Sequence, residues 1–150
     1  EECWLAIETS GHAALRENYF LDDGAYLAAK LIIHAAKLNK QGKQLQDIIS
    51  TLKQPKESKE IRIKITQTDF KAYGQKVLED MKTKFAEMPG WTLVEPNYEG
   101  VRVSCTNGDE EGWLLLRMSL HDPVMPLNIE SNVEGGVAAI EAKLKGMGLL

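Results

Sequence analysis

The sequence predicts an α+β chain in two pieces: a short strand–loop–helix piece, then an antiparallel sheet with helices on one face. Three observations predict it. Apolar and polar residues alternate at Ile61–Ile65 and again at Val101-Arg102-Val103, as in strands with one buried face. Leu27, Leu31, Ile32, Ala35 and Leu38, and later Phe70, Tyr73, Val77, Met81 and Phe85, recur at helical spacing. Between them the polar stretch 53–60, with Pro55, reads as a linker. The expected division is 1–55 and 56–150.

The elements follow in order. Residues 3 to 8 form a continuous apolar run that reads as a short buried strand. A loop from Thr9 to Asp22 follows. Asp22 or Asp23 caps the first helix, because a short carboxylate accepts from the free N–H groups of a first turn. Gly42 breaks that helix, and Leu45, Ile48, Ile49 and Leu52 mark a second, shorter one. After the linker comes the Ile61–Ile65 strand, then a helix capped by Thr68 or Asp69 and ended by Pro89-Gly90. Strands are expected at Trp91–Glu95, Gly100–Cys105, Gly112–Met118 and Val124–Glu130. Asn107-Gly108 favours positive φ in the hairpin loop before Gly112. Val133, Val137, Ile140 and Leu144 mark the last helix.

A length of 150 residues suits one domain, or one small domain plus a fragment. The chain starts without Met at an apolar strand and reads as a piece of a longer protein. The net charge of -4, without long runs of lysine or arginine, argues against a nucleic-acid partner, which would meet a basic face. No apolar run is long enough for a membrane span, and no signal peptide is visible. The expected location is the cytoplasm, and an organelle such as the plastid is compatible. Cys3 and Cys105 fit no CxxC or Cys/His pattern and read as free thiols.

Two segments could carry chemistry. In Glu8-Thr9-Ser10-Gly11-His12, Glu8 can accept from two vicinal hydroxyls, Ser10 can donate and accept, and His12 can exchange a proton near neutrality. The bland alternative is a capped loop with a solvated histidine. In Arg117-Met118-Ser119-Leu120-His121-Asp122-Pro123 a guanidinium fork, a hydroxyl and turned-in backbone N–H groups suit phosphate. The alternative there is a surface loop with an incidental arginine. Arg102 reads as solvated, Asp22-Asp23 as a helix cap rather than a metal pair, and Asp109-Glu110-Glu111 as a solvated hairpin tip. The tryptophans read as core or sheet-packing residues.

Together these segments resemble the α-D-phosphohexomutases, the family of phosphomannomutase, phosphoglucomutase and phosphoglucosamine mutase. Glu8-Thr9-Ser10-Gly11-His12 is similar to its sugar-binding loop, and Phe20-Leu21-Asp22-Asp23-Gly24 to the segment after it. Gly100-Val101-Arg102-Val103, Gly112-Trp113 and Leu116-Arg117 resemble the strands entering its phosphate loop. Arg117-x-Ser119 through Pro123 resembles the loop itself, and Ile129-Glu130 the strand leaving it.

The resemblance implies the C-terminal part of a four-domain enzyme. Residues 1–55 would be the strand–helix remnant of its third, α/β domain. Residues 56–150 would be the fourth, phosphate-binding domain, arranged like the TATA-binding protein. The implied reaction is an intramolecular phosphoryl shift between the 1- and 6-positions of a hexose phosphate, through a phosphoserine and a bound magnesium ion. Glu8 and Ser10 would bind sugar hydroxyls with His12 beside them in the substrate site, and Arg117 and Ser119 would hold the phosphate that stays, where His121 can replace a hydroxyl donor. No Ser-His-Asn type segment and no Asp-Gly-Asp-Gly-Asp segment occurs in the chain. The expectation is therefore no catalytic residue here, no magnesium bound by this chain, and no turnover without the missing N-terminal domains. Leu120 and His121 stand where the family usually has Asn and Thr. The rival reading is a non-catalytic binding or interaction module with the same fold.

Overall fold

Two units make up the chain, Glu1–Lys53 and Gln54–Leu150, and the computed structural model describes residues 3–8 and 11–150. In the first unit, β1 (Leu5–Ile7) pairs antiparallel with β2 (Ala13–Leu15), in the register Leu5↔Leu15 and Ile7↔Ala13. A short 3-10 turn, Arg16–Asn18, leads towards α1 (Gly24–Asn39) and α2 (Leu45–Ile48). The expected loop from Thr9 to Asp22 thus contains a strand. The expected burial of residues 3–8 is also corrected: Leu5 and Ile7 are exposed. A two-stranded ribbon with so few residues offers little to pack against. Ala13 is the one buried residue of this unit among the described residues.

The second unit is the expected antiparallel sheet with helices on one face. Its elements are β3 (Glu57–Lys64), α3 (Phe70–Glu87), β4 (Trp91–Leu93), β5 (Val101–Cys105), β6 (Gly112–Leu116), β7 (Val124–Ser131) and α4 (Gly136–Gly146). The strand order is β3-β7-β6-β5-β4, antiparallel throughout. Alternation puts Val101, Val103 and Cys105 of β5, Leu114 and Leu116 of β6, and Met125, Leu127 and Ile129 of β7 on the inner face. Leu78, Met81 and Phe85 of α3 and Val137, Ile140 and Leu144 of α4 close over them. Each such side chain contributes roughly 1.5–3 kcal/mol by leaving water. Phe85 and Trp91 meet as a tilted ring pair, 5.4 Å between centroids. Burial pushes the Cys105 thiol up to about 12, against the charge of Lys143.

Four expectations change here. Residues 57–60, expected in the linker, belong to β3, which pairs with β7 from Glu57↔Ser131 to Lys64↔Val124. As an edge strand it has solvent on one flank and carries polar residues that hide its strand character. Tyr73 leaves the buried stripe of α3, and Gly74 takes its place. Glu110, expected at a solvated tip, is fully buried. Its carboxylate accepts from Trp91 Nε1 at 2.6 Å and ion-pairs with Lys143. Lastly, α4 begins at Gly136 rather than Val133, and Glu57 of β3 caps it from across the sheet, accepting from Gly135 N at 2.7 Å and Val137 N at 3.0 Å.

Candidate functional site

Glu8, Gly11 and His12 of the first segment lie between β1 and β2. Glu8 N donates to His12 O at 2.9 Å and Gly11 N to Glu8 O at 3.0 Å, so the two residues face each other across the hairpin end. Gly11 stands at φ +92, which a side chain would resist. Glu8 and His12 are both exposed. Ser10, with Thr9, lies outside the described residues.

His12 has a partner that spacing did not single out. Its Nδ1 lies 2.7 Å from Asp22 Oδ2. An ionised carboxylate only accepts, so Nδ1 carries the proton and Nε2 is left for a ligand. The hydrogen bond to Asp22 and then its charge raise the imidazole pKa above the ordinary value, and the charge of Glu8 adds to this. The two adjacent aspartates divide their labour. Asp23 caps α1 by accepting from Tyr26 N at 2.9 Å, which holds its own pKa below the usual carboxylate range. Asp22, bridged to Ala14 of β2, is thereby free to face His12. Gly11, His12, Asp22 and Gly24 line an open concavity. Nearby, Tyr19 and Phe20 take left-handed backbone, φ 55 and 54, which costs each residue conformational energy.

The second segment is the end of the β6–β7 hairpin. Arg117 N donates to Pro126 O and Ser119 N to Val124 O, each at 3.0 Å, so the ladder runs on past Leu116. The pleat puts Leu116 and Met118 towards the helices and Arg117 and Ser119 together on the outer face. Gly100, at φ +67, lets β5 start against this strand; a β-carbon there would meet Leu116 O at 2.0 Å. Arg117 is half-buried, and among the described residues its guanidinium has no hydrogen-bond or ion-pair partner. Ser119 Oγ accepts from His121 N at 3.4 Å and Asp122 N at 3.2 Å, which closes the turn and leaves the hydroxyl proton to point elsewhere. His121 is exposed and Leu120 is 77% exposed.

Arg102 lies on the outer face as expected, and its guanidinium sits 5.0 Å over the Trp113 ring. Of the tryptophans, Trp91 is core, Trp113 packs on the sheet and donates to Glu130, and Trp4 is exposed. Among the described residues no three His, Cys, Asp or Glu side chains gather as metal donors. No helix among them is long and apolar enough to cross a membrane.

No protein-family model matches the chain, and no curated protein matches it. Among solved structures, a phosphoglucomutase/phosphomannomutase family protein from Burkholderia thailandensis is similar, with TM-score 0.69 and 23% identity. At that identity the likeness establishes the fold alone. The match covers 97% of this chain and 28% of the Burkholderia protein, so the chain spans little more than a quarter of that neighbour.

Proposed function

We propose that this chain is the phosphosugar-holding part of a phosphohexomutase, which moves a phosphoryl group between the 1- and 6-positions of a hexose phosphate. One observation carries the reading: Arg117 and Ser119 share a face of one hairpin end, and the guanidinium has no acceptor among the described residues. A guanidinium without a protein acceptor keeps its planar fork of donors available for an anion. The fold likeness to the Burkholderia protein supports the reading.

In this reading Arg117 grips the phosphate that is not transferred through its donor fork, and Ser119 adds its hydroxyl proton. His121, standing at the turn, donates a further hydrogen bond. At the other loop, Glu8 and Ser10 take sugar hydroxyls, and His12 offers Nε2 while Asp22 fixes the ring. The phosphoserine and the ion belong to other parts of the parent enzyme. Magnesium would neutralise phosphate charge there. Among the described residues no three His, Cys, Asp or Glu side chains gather as donors for such an ion, and no step is routed through it here.

The test is amide NMR on the chain, titrated with inorganic phosphate, glucose 6-phosphate and mannose 6-phosphate. Shifts at residues 117–123 with all three, and at residues 8–12 with the sugar phosphates alone, are expected. Unmoved resonances at 117–123 would refute the proposal.

A further inference from the structure

Glycine inside a helix weakens it, yet Gly74 lies within α3, buried and with ordinary helical backbone. The reason is what occupies the place of its side chain. A β-carbon on Gly74 would stand 2.3 Å from Met118 Sδ, 2.8 Å from Met118 Cγ and 3.4 Å from Ile65 Cδ1. Met118 is the residue between Arg117 and Ser119. Ile65, which borders the same space, donates its amide to Pro123 O at 2.8 Å, at the far end of the loop. Met118 at the loop's entry thus fills the gap in α3, and Ile65, whose amide holds the loop's exit, borders it.

We infer that Gly74 is the positioning residue of this loop: the space it leaves seats Met118, and Met118 in that seat sets where Arg117 and Ser119 stand. This rests on the reading of Arg117 and Ser119 as phosphate ligands. Strand alternation carries the effect, because the side chain on the helix face and those on the outer face belong to one pleat. Moving Met118 off its seat rotates the two ligands away from a shared target. What would obstruct a methyl group at position 74 is the flexible end of Met118. Alanine is also the better helix former. Gly74→Ala should therefore keep the fold and impair the loop.

The experiment uses the full chain, its Gly74→Ala and Met118→Ala variants and the double variant. Each is titrated with inorganic phosphate by amide NMR and melted by circular dichroism. Gly74→Ala is expected to melt no lower than the parent, to show displaced ligand-free amide resonances at 117–119, and to bind phosphate about threefold more weakly. Met118→Ala should also weaken binding, and the double variant should lose no more than the worse single one, because both act on one contact. Parent-like affinity and unmoved 117–119 resonances in Gly74→Ala would overturn the inference and leave the proposed function standing. Should that variant not fold, parent-like phosphate affinity in a folded Met118→Ala overturns it instead. A parent chain that ignores phosphate sinks both.

Discussion

Trp91 Nε1 donates to Glu110 Oε2 at 2.6 Å while Lys143 ion-pairs with the other oxygen of the same carboxylate. One fully buried side chain thus joins the start of β4, the β5–β6 loop and α4. Lys143→Met would strand that carboxylate in the core. A loss of about 3 kcal/mol in unfolding free energy is expected in urea titrations. Adding Glu110→Gln to it should recover part of the loss, because the amide keeps an acceptor for Trp91 and carries no charge. Equal stability of the single and double variants would contradict this account.

His12 should titrate above its ordinary 6.5, because Asp22 accepts from its Nδ1 and faces it with a negative charge. Asp22→Asn is expected to bring the midpoint down, read from the imidazole ring protons by NMR. The sign for stability follows from the raised value. The pairing contributes fully below 6.5 and is lost as pH rises through the folded midpoint. An unchanged His12 midpoint in Asp22→Asn would show that the pair does not form.

Glu57 gives the opposite slope. The amides of Gly135, first, and Val137 hold its carboxyl below the ordinary 4.5. Its stabilisation is therefore present above 4.5 and fades as pH falls through the lower folded midpoint. Glu57→Gln should lower the melting temperature at neutral pH. The gap to the parent should close in acid. A gap constant across pH would mean that the charge is not what caps α4.

Arg117→Ala should weaken phosphate binding about tenfold or more, the worth of a hydrogen bond to a charged group left unmade. Arg117→Lys should restore only part of it, since an ammonium lacks the planar fork. Leu120→Ala should leave the affinity alone, its side chain being exposed. Isothermal titration with glucose 6-phosphate separates the three. Full binding by Arg117→Ala would remove this residue from the site.

Much of the sheet was legible from sequence because its strands bury one face and leave the other outward, which shows as alternation in β5 and the second half of β3 and as short apolar runs in β6 and β7. Val101-Arg102-Val103 shows this directly, valines in and arginine out. The first half of β3 was not legible, because an edge strand tolerates Glu57, Lys59 and Glu60, and that run looks like a linker. Ala13–Leu15 is too short to carry a period. Glu110 was misread because its two acidic neighbours suggest solvent, and its partners Trp91 and Lys143 are distant in sequence. At the candidate site, Arg117 and Ser119 were legible as one phosphate-suited segment, but their shared face was not, because the expected strand stops at Met118 while the ladder runs on to Ser119. Asp22 beside His12 was hidden by the equal fitness of two adjacent aspartates as caps. The seat of Met118 on Gly74 was invisible, since it joins a hairpin end to a helix that no local pattern connects.

The contrast between the two cysteines has a practical consequence. Only a thiolate attacks an alkylating reagent, and Cys105 is sealed among core side chains while Cys3 is exposed. Native chain treated with iodoacetamide at neutral pH should take up one label promptly. The second arrives only when the five-stranded sheet opens. Its rate, followed by mass spectrometry, times that opening from within, and no engineered probe is needed.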